Sequence, residues 1–167
     1  DHLYGLVKEF RPEFLIIDSH GRFVANETGT ELLIGAEQLT GDDVIANLPQ
    51  IPLVMLSACW GAPLYGCSNT IAHAFFETGS YAVTTSFLPL NVQKGGMLYT
   101  RVVRNLEYAV EHPVHRNWAS FVSHNVRTSF FDDLMTRAIA RFGSEELQTA
   151  EAYTEKRQVW QMNTMSA

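Results

Sequence analysis

The chain contains 167 residues, a length that suits one domain built around one hydrophobic core. Its 12 lysine and arginine residues are outnumbered by 18 aspartate and glutamate residues, so the net charge of −6 argues against binding nucleic acid phosphates or an anionic membrane surface. Hydrophobic residues make up 46% of the composition and charged residues 18%, which excludes intrinsic disorder, and no apolar run is long enough to span a bilayer.

The cysteine content and the pattern at the start of the chain bear on the cellular environment and on the size of the whole protein. Cys59 and Cys67 are too few for a disulfide framework, and the sequence carries no signal peptide, so we expect a reducing, cytoplasmic environment. Helical spacing begins directly after Asp1. We therefore expect residues 1–167 to be a single domain from the C-terminal part of a longer protein.

The first third of the chain mixes helical and strand patterns. Apolar residues at three-and-four spacing predict a helix over residues 3–10. The wholly apolar run Phe14–Ile17 is typical of a buried strand in a parallel sheet, and residues 22–34 suggest a hairpin. Thr40 or Asp42 is then expected to cap a short helix.

The middle of the chain repeats the alternation of strand and helix. Pro52–Ser57 predicts a second buried strand, which leads directly to Cys59. A loop rich in turn-forming residues follows, and after it a helix capped by Ser68 or Asn69. Tyr81–Ser86 predicts a third strand.

Beyond the third strand the pattern is helical. Apolar spacing predicts one helix from Val92 to about residue 110, a second through residues 121–139 and a third, more polar helix over residues 144–160. Strands that alternate with helices predict an α/β sandwich with right-handed crossovers and a mainly parallel sheet, extended by additional C-terminal helices.

Two of the predicted strands end in residues that can do chemistry together. His20 and Gly21 follow the first strand and Cys59 follows the second, and the carboxyl ends of parallel strands lie at the same edge of a sheet. An imidazole beside a thiol promotes the attacking thiolate, and the N–H groups of Gly21 and Cys59 are suited to an oxyanion hole. The alternative is that Cys59 is a buried core cysteine, the usual place for this residue type.

The same residues resemble the motifs of a known family. Ile16–Gly21 and Val54–Cys59 resemble the His-Gly and Leu-Ser-Ala-Cys motifs of CHAT domains, the caspase-like peptidases often attached to tetratricopeptide repeats. The likeness continues through Leu39–Asp43 and Ala74–Val83 and covers about residues 1–110. Ser57 stands where caspases have Gln, so cleavage after aspartate is not implied.

The resemblance implies a fold and a set of roles. The fold is a caspase-like three-layer sandwich, with residues 1–167 as one CHAT catalytic domain and residues 112–167 as its helical extension. Cys59 is the implied nucleophile, which forms a thioester, and His20 is the implied proton-transfer partner. Gly21 and Cys59 are the implied donors to the oxyanion.

Two neighbours of this pair are candidate substrate-binding residues. Asp18 is a candidate for recognising a basic side chain of the substrate, although a helix cap or a surface charge explains it equally well. Trp60 is a candidate lining residue of the substrate cleft, with core packing as the alternative. We expect no metal site, because the histidines of the C-terminal half lack cysteine or carboxylate ligands at a fixed spacing.

The implied activity is that of a cysteine endopeptidase that needs no cofactor. Its expected partners are a protein substrate, an N-terminal regulatory region such as tetratricopeptide repeats, and an effector complex of bacterial defence, including CRISPR-linked assemblies and gasdermin processing. Two alternatives are a catalytically silent caspase-like scaffold and an amidotransferase-like cysteine hydrolase. The intact pair His20 and Cys59 argues against the scaffold, and the order of histidine before cysteine argues against the amidotransferase.

Overall fold

The elements of the computed structural model follow the predicted alternation of strands and helices. The model describes residues 2–24, 29–62, 69–86 and 92–142, together with Glu155. In chain order the elements are α1 (His2–Phe10), β1 (Phe14–Asp18), β2 (His20–Val24), β3 (Gly29–Ile34), β4 (Glu37–Thr40), α2 (Gly41–Asn47), β5 (Leu53–Ser57), α3 (Ile71–Glu77), β6 (Ala82–Thr84), α4 (Val92–Glu111) and α5 (Trp118–Phe142). The chain divides into two units, residues 1–99 and residues 100–167.

A parallel sheet forms the centre of the first unit. Its strand order is β1-β5-β6, so β5, which has four buried residues, lies in the middle. Phe14 pairs with Leu53 and Asp18 with Ser57, which aligns β1 and β5 along their whole length. The predicted α/β class with a parallel sheet and C-terminal helices is confirmed, with five helices among the described residues.

A second, antiparallel sheet lies between β1 and β5 in the sequence. Its order is β2-β3-β4, and β2 pairs with β3 as the predicted hairpin requires, while the hairpin tip, residues 25–28, lies outside the described residues. Strand β4 was not predicted, because Leu39 is its only apolar residue and four residues are too few to display an alternating pattern. Leu39 is nevertheless 2% exposed and belongs to the core.

Helices α2 and α3 are fixed by threonine caps. Thr40 caps α2, as predicted, and forms a reciprocal capping box with Asp43. Thr70 caps α3, so the prediction of Ser68 or Asn69 is wrong: the Thr70 hydroxyl accepts a hydrogen bond from the backbone N–H of His73. These helices and the sheets enclose an apolar core of thirteen buried residues, Val7, Ile17, Leu32, Leu39, Val44, Leu48, Ile51, Val54, Leu56, Ala58, Ile71, Ala74 and Phe75.

The described part of the second unit consists mainly of α5 and of the part of α4 that begins at residue 100. The side-chain amide of Asn105 donates to the side-chain oxygen of the fully buried Asn125 over 2.6 Å, and the Arg101 guanidinium donates to the Ser129 hydroxyl over 3.0 Å. These two polar contacts fix the register of α4 against α5. Apart from Glu155, the predicted helix over residues 144–160 lies outside the described residues. Within the described part of the chain, no helix combines the length and apolar character needed to cross a membrane.

Candidate active site

The ends of β1 and β5 bring the predicted site residues to one edge of the parallel sheet. The Ser19 N–H donates to the Ser57 carbonyl over 3.2 Å, which continues the strand pairing one residue past Asp18. His20 is the next residue after Ser19, and Cys59 is the second residue after Ser57. The backbone pairing of β1 with β5 therefore confirms the prediction that these two strand ends lie side by side.

His20 and Cys59 line the same cleft, which has a volume of about 490 Å³. The side chain of His20 is exposed and that of Cys59 is half-buried. Asp18 also lines the cleft and is exposed, and it carries the only carboxylate among the described lining residues. The other lining residues are Ile17, Ser19, Leu33, Ile34, Gly35, Ser57, Ala58, Gly95 and Gly96.

Gly21 lies directly against the backbone of Cys59. A Cβ atom at position 21 would overlap the carbonyl oxygen of Cys59 and would lie 3.4 Å from the Cβ of Ala58. Only glycine allows this approach without displacing the backbone that carries the thiol. The structure thus brings Gly21 and Cys59 together, while the oxyanion role of their N–H groups stays a prediction.

The turn after Cys59 has an unusual backbone conformation. Trp60 has a φ of 59°, in the left-handed region that residues other than glycine adopt at a cost of about 1–3 kcal/mol. Trp60 is half-buried and is not among the residues that line the cleft, so its predicted substrate contact stays a prediction. A residue in the left-handed region thus follows directly after the candidate nucleophile.

Contacts on both sides of this turn hold it in place. The Ser86 hydroxyl donates to the Ala58 carbonyl over 2.8 Å, and the Ser86 carbonyl accepts a hydrogen bond from the Ala62 N–H over 3.2 Å. Gly61 packs so closely on the Thr85 side chain that a Cβ atom would overlap it. The two residues that follow β6 therefore support the turn from Ala58 to Ala62.

Tyr99 lies in this region, on the helix predicted from Val92, and no contact with the site was predicted for it. Its hydroxyl donates to the Leu56 carbonyl over 2.8 Å. Burial first, and then the charges of Asp18 and Cys59, raise the pKa of Tyr99 to about 12. A tyrosine at an otherwise apolar helical position was the available signal, because a buried phenol needs a hydrogen-bond partner, but the sequence does not reveal which partner.

Cys59 carries a thiol rather than a disulfide. Cys67, which could pair with it if oxidised, lies outside the described residues. Among the residues that the structure describes, no group of three or more His, Cys, Asp or Glu side chains is arranged to hold a metal ion.

Comparison with known proteins gives one match. The profile of the CHAT domain family matches residues 3–122, a span that includes the ends of β1 and β5, Cys59 and most of the described helices. No curated protein and no solved structure matches the chain. Because the profile covers well over half of its length, the chain belongs to the CHAT-domain family, whose fold is caspase-like and related to that of peptidases.

Proposed function

We propose that the chain is a cysteine endopeptidase domain in which His20 and Cys59 form the catalytic dyad. The observation that carries the proposal is that both residues line one cleft, at the edge where β1 and β5 end. Membership of a family with a peptidase-related fold adds support. The activating N-terminal region, the tetratricopeptide repeats and the bacterial defence setting implied by the resemblance belong to the same proposal.

The proposed reaction proceeds by acyl transfer to the thiol. His20 takes the proton from Cys59, and the thiolate attacks the scissile carbonyl to give a tetrahedral intermediate. This intermediate collapses to a thioester as the C–N bond breaks, and His20 gives its proton to the leaving amine. Water then attacks the thioester with His20 as base, which releases the carboxylic acid and restores the thiol.

The proposed oxyanion site uses the close approach of two backbones. Gly21 approaches the Cys59 carbonyl so closely that no side chain fits between the two backbones. Donors that are fixed before the reaction stabilise developing negative charge without a cost of reorganisation. We assign the stabilisation of the tetrahedral oxyanion to the N–H groups of these two residues.

The proposed substrate carries a basic side chain near the cut. Asp18 supplies the only carboxylate among the described lining residues of the cleft, and none of these residues is lysine or arginine. The net charge of −6 also favours the approach of a cationic substrate. Asp18 therefore meets no lysine or arginine of the chain along the described lining when it pairs with a substrate lysine or arginine.

Covalent labelling of Cys59 tests the dyad without a known substrate. A peptide acyloxymethyl ketone with an arginine next to the reactive carbon would be incubated with the chain, and modification followed by intact mass against time. We expect labelling to disappear in Cys59→Ala and to slow strongly in His20→Ala. His73→Ala is the matched control, because His73 is exposed on α3 and interacts with Glu77 rather than with the cleft.

Two outcomes would change the assignment. If His20→Ala and His73→Ala were labelled as fast as the unaltered chain, His20 would not activate the thiol, and a catalytically silent scaffold would become the better reading. If replacing arginine by glutamate in the probe left the labelling rate unchanged, Asp18 would not select a basic side chain. An Asp18→Asn variant should lose the preference for arginine while it keeps the labelled site.

A further inference from the structure

The three residues that precede Cys59 have their carbonyl groups held by three different elements. The Ser57 carbonyl accepts the Ser19 N–H at the end of β1. The Ala58 carbonyl accepts the Ser86 hydroxyl from the segment after β6. The Leu56 carbonyl accepts the Tyr99 hydroxyl from α4. Each of these three carbonyl groups therefore accepts a hydrogen bond from a different element, and together the three bonds hold the backbone that leads into Cys59.

The hydroxyl donors act where strand pairing stops. Carbonyl groups point to alternate sides of a strand, so Leu56 and Ala58 face the β6 side of β5 if Ser57 faces β1. The β5–β6 ladder ends at the pair Met55 and Thr84, so β6 provides no paired partner for Leu56. A buried carbonyl without a donor is costly, and Tyr99 supplies the donor at this point.

Tyr99 is well placed to hold this donor in one position. Only 9% of the residue is exposed, and burial raises the pKa of its phenol to about 12, so the hydroxyl keeps its proton well above neutral pH. Gly95 and Gly96, one turn earlier on α4, line the cleft. The same helix therefore contributes a wall of the cleft and fixes the strand end that carries the thiol.

We propose that Tyr99 is a positioning residue for Cys59: its hydroxyl fixes the Leu56 carbonyl and, through Ser57 and Ala58, the position of the thiol relative to His20. This inference rests on the proposed dyad. Tyr99 need not touch the substrate, and its effect on reactivity passes through the backbone of β5. Its contribution consequently depends on the presence of His20.

The test is the rate at which iodoacetamide alkylates Cys59 at neutral pH, read on the Cys59 peptide by mass spectrometry. Tyr99→Phe removes the hydroxyl and keeps the ring, and Tyr81→Phe, at a residue that is 78% exposed, is the matched control. We expect Tyr99→Phe to lower the rate about tenfold, the size expected for one ordinary hydrogen bond, and Tyr81→Phe to leave it unchanged. The double variant His20→Ala/Tyr99→Phe should react no more slowly than His20→Ala alone.

Three other outcomes would each contradict the inference, and the measured rates distinguish them. Equal rates in Tyr99→Phe and Tyr81→Phe would overturn it while leaving the dyad in place. Independent, multiplying losses in the double variant would show that Tyr99 acts on stability and not on the pairing of thiol and imidazole. If His20→Ala itself left the Cys59 rate unchanged, the proposed dyad would fail, and this inference would fail with it.

Ser86→Ala provides a second variant should Tyr99→Phe fold poorly. It removes the hydroxyl donor from the neighbouring Ala58 carbonyl and leaves α4 unaltered. We expect the same dependence on His20, because both hydroxyls hold the backbone that leads into Cys59. A Ser86→Ala rate equal to that of Tyr81→Phe would contradict the positioning of Cys59 by its preceding carbonyls.

Discussion

At the scale of single residues, the close approach of Gly21 to the Cys59 carbonyl excludes any side chain at position 21. Gly21→Ala introduces an atom that overlaps this carbonyl, so either β2 or the turn carrying the thiol must move. We expect a loss of about 1–3 kcal/mol in the free energy of unfolding, the usual cost of overpacking, together with slower alkylation of Cys59. Urea unfolding and the alkylation rate measure the two effects.

Gly5→Ala is the control for the removal of a glycine. Nothing lies within 4 Å of a Cβ atom at position 5, and the residue is inside α1, where alanine is favoured over glycine by up to about 1 kcal/mol. We expect this variant to be as stable as the unaltered chain or more stable. A Gly21→Ala variant that matched Gly5→Ala in both measurements would show that the backbone at Cys59 tolerates displacement.

The sequence allowed the candidate residues of the cleft to be placed, but not the residues that support them. His20 and Cys59 were predictable neighbours because each follows an apolar strand, and parallel strands end at one edge. Tyr99 was not predictable as a partner of Leu56, since the bond joins residues that are 43 positions apart and depends on where β6 stops. The left-handed conformation of Trp60 likewise has no signature in the sequence.

At the scale of elements, the capping box of α2 gives a pH-dependent contribution to stability. Hydrogen bonds from the Thr40 side chain first, and from its backbone second, lower the pKa of Asp43. A carboxyl group whose pKa is lowered on folding stabilises the protein above its unfolded pKa of about 3.9 and loses that contribution as the pH falls through the folded pKa.

We therefore expect the loss in the free energy of unfolding caused by Thr40→Ala to depend on pH. At neutral pH the variant should lose about 0.5–2 kcal/mol in the free energy of unfolding, the range for a lost N-cap. The difference in the free energy of unfolding between the variant and the unaltered chain should become smaller in acid, because the hydrogen bonds between Thr40 and a protonated Asp43 contribute less to stability. Thr70→Ala removes the cap of α3, where no acidic residue lies in the first turn, and should show a loss that changes less with pH. Urea unfolding over a series of pH values would reveal parallel losses if this account of α2 were wrong.

Elements with a strong local pattern were predicted well, and those defined by distant partners were not. The apolar runs of β1 and β5 identify them as buried strands, and Thr40 was one of two candidates for the cap of α2. Strand β4 depends on its pairing with β3 and on the burial of one leucine, and neither is visible locally. The cap of α3 was misplaced by one or two residues, because Asn69 and Thr70 both have capping side chains and only the backbone geometry distinguishes them.

At the scale of the whole molecule, apolar burial among the described residues is distributed unevenly between the two units. Every member of the main buried cluster lies between Val7 and Phe75, within residues 1–99. In the second unit, the described residues Tyr108, Val110 and Phe130 are each at least 60% exposed. Segments with few buried apolar contacts open locally at a lower free energy than the core does.

Amide hydrogen exchange should reveal this difference. We expect amides of β5 and α3 to exchange slowly and those of α5 to exchange faster by at least about tenfold, equivalent to a difference in opening free energy of about 1.4 kcal/mol. Exchange followed by mass spectrometry on peptides of the unaltered chain gives the comparison directly. Equal protection of α5 and β5 would mean that the second unit opens only when the first does.

The register of β1 and β5 also sets an order of events during folding. Phe14 pairs with Leu53, 39 positions along the chain, and the intervening residues include the β2-β3-β4 sheet and α2, whose contacts are short in sequence. Hairpins and helices close their loops faster than a pairing of this span does, and once formed they shorten the loop that the parallel pairing must close. The ends of β1 and β5 consequently come together only after the chain between them has folded, so a nascent or partly folded molecule has not yet assembled the proposed dyad.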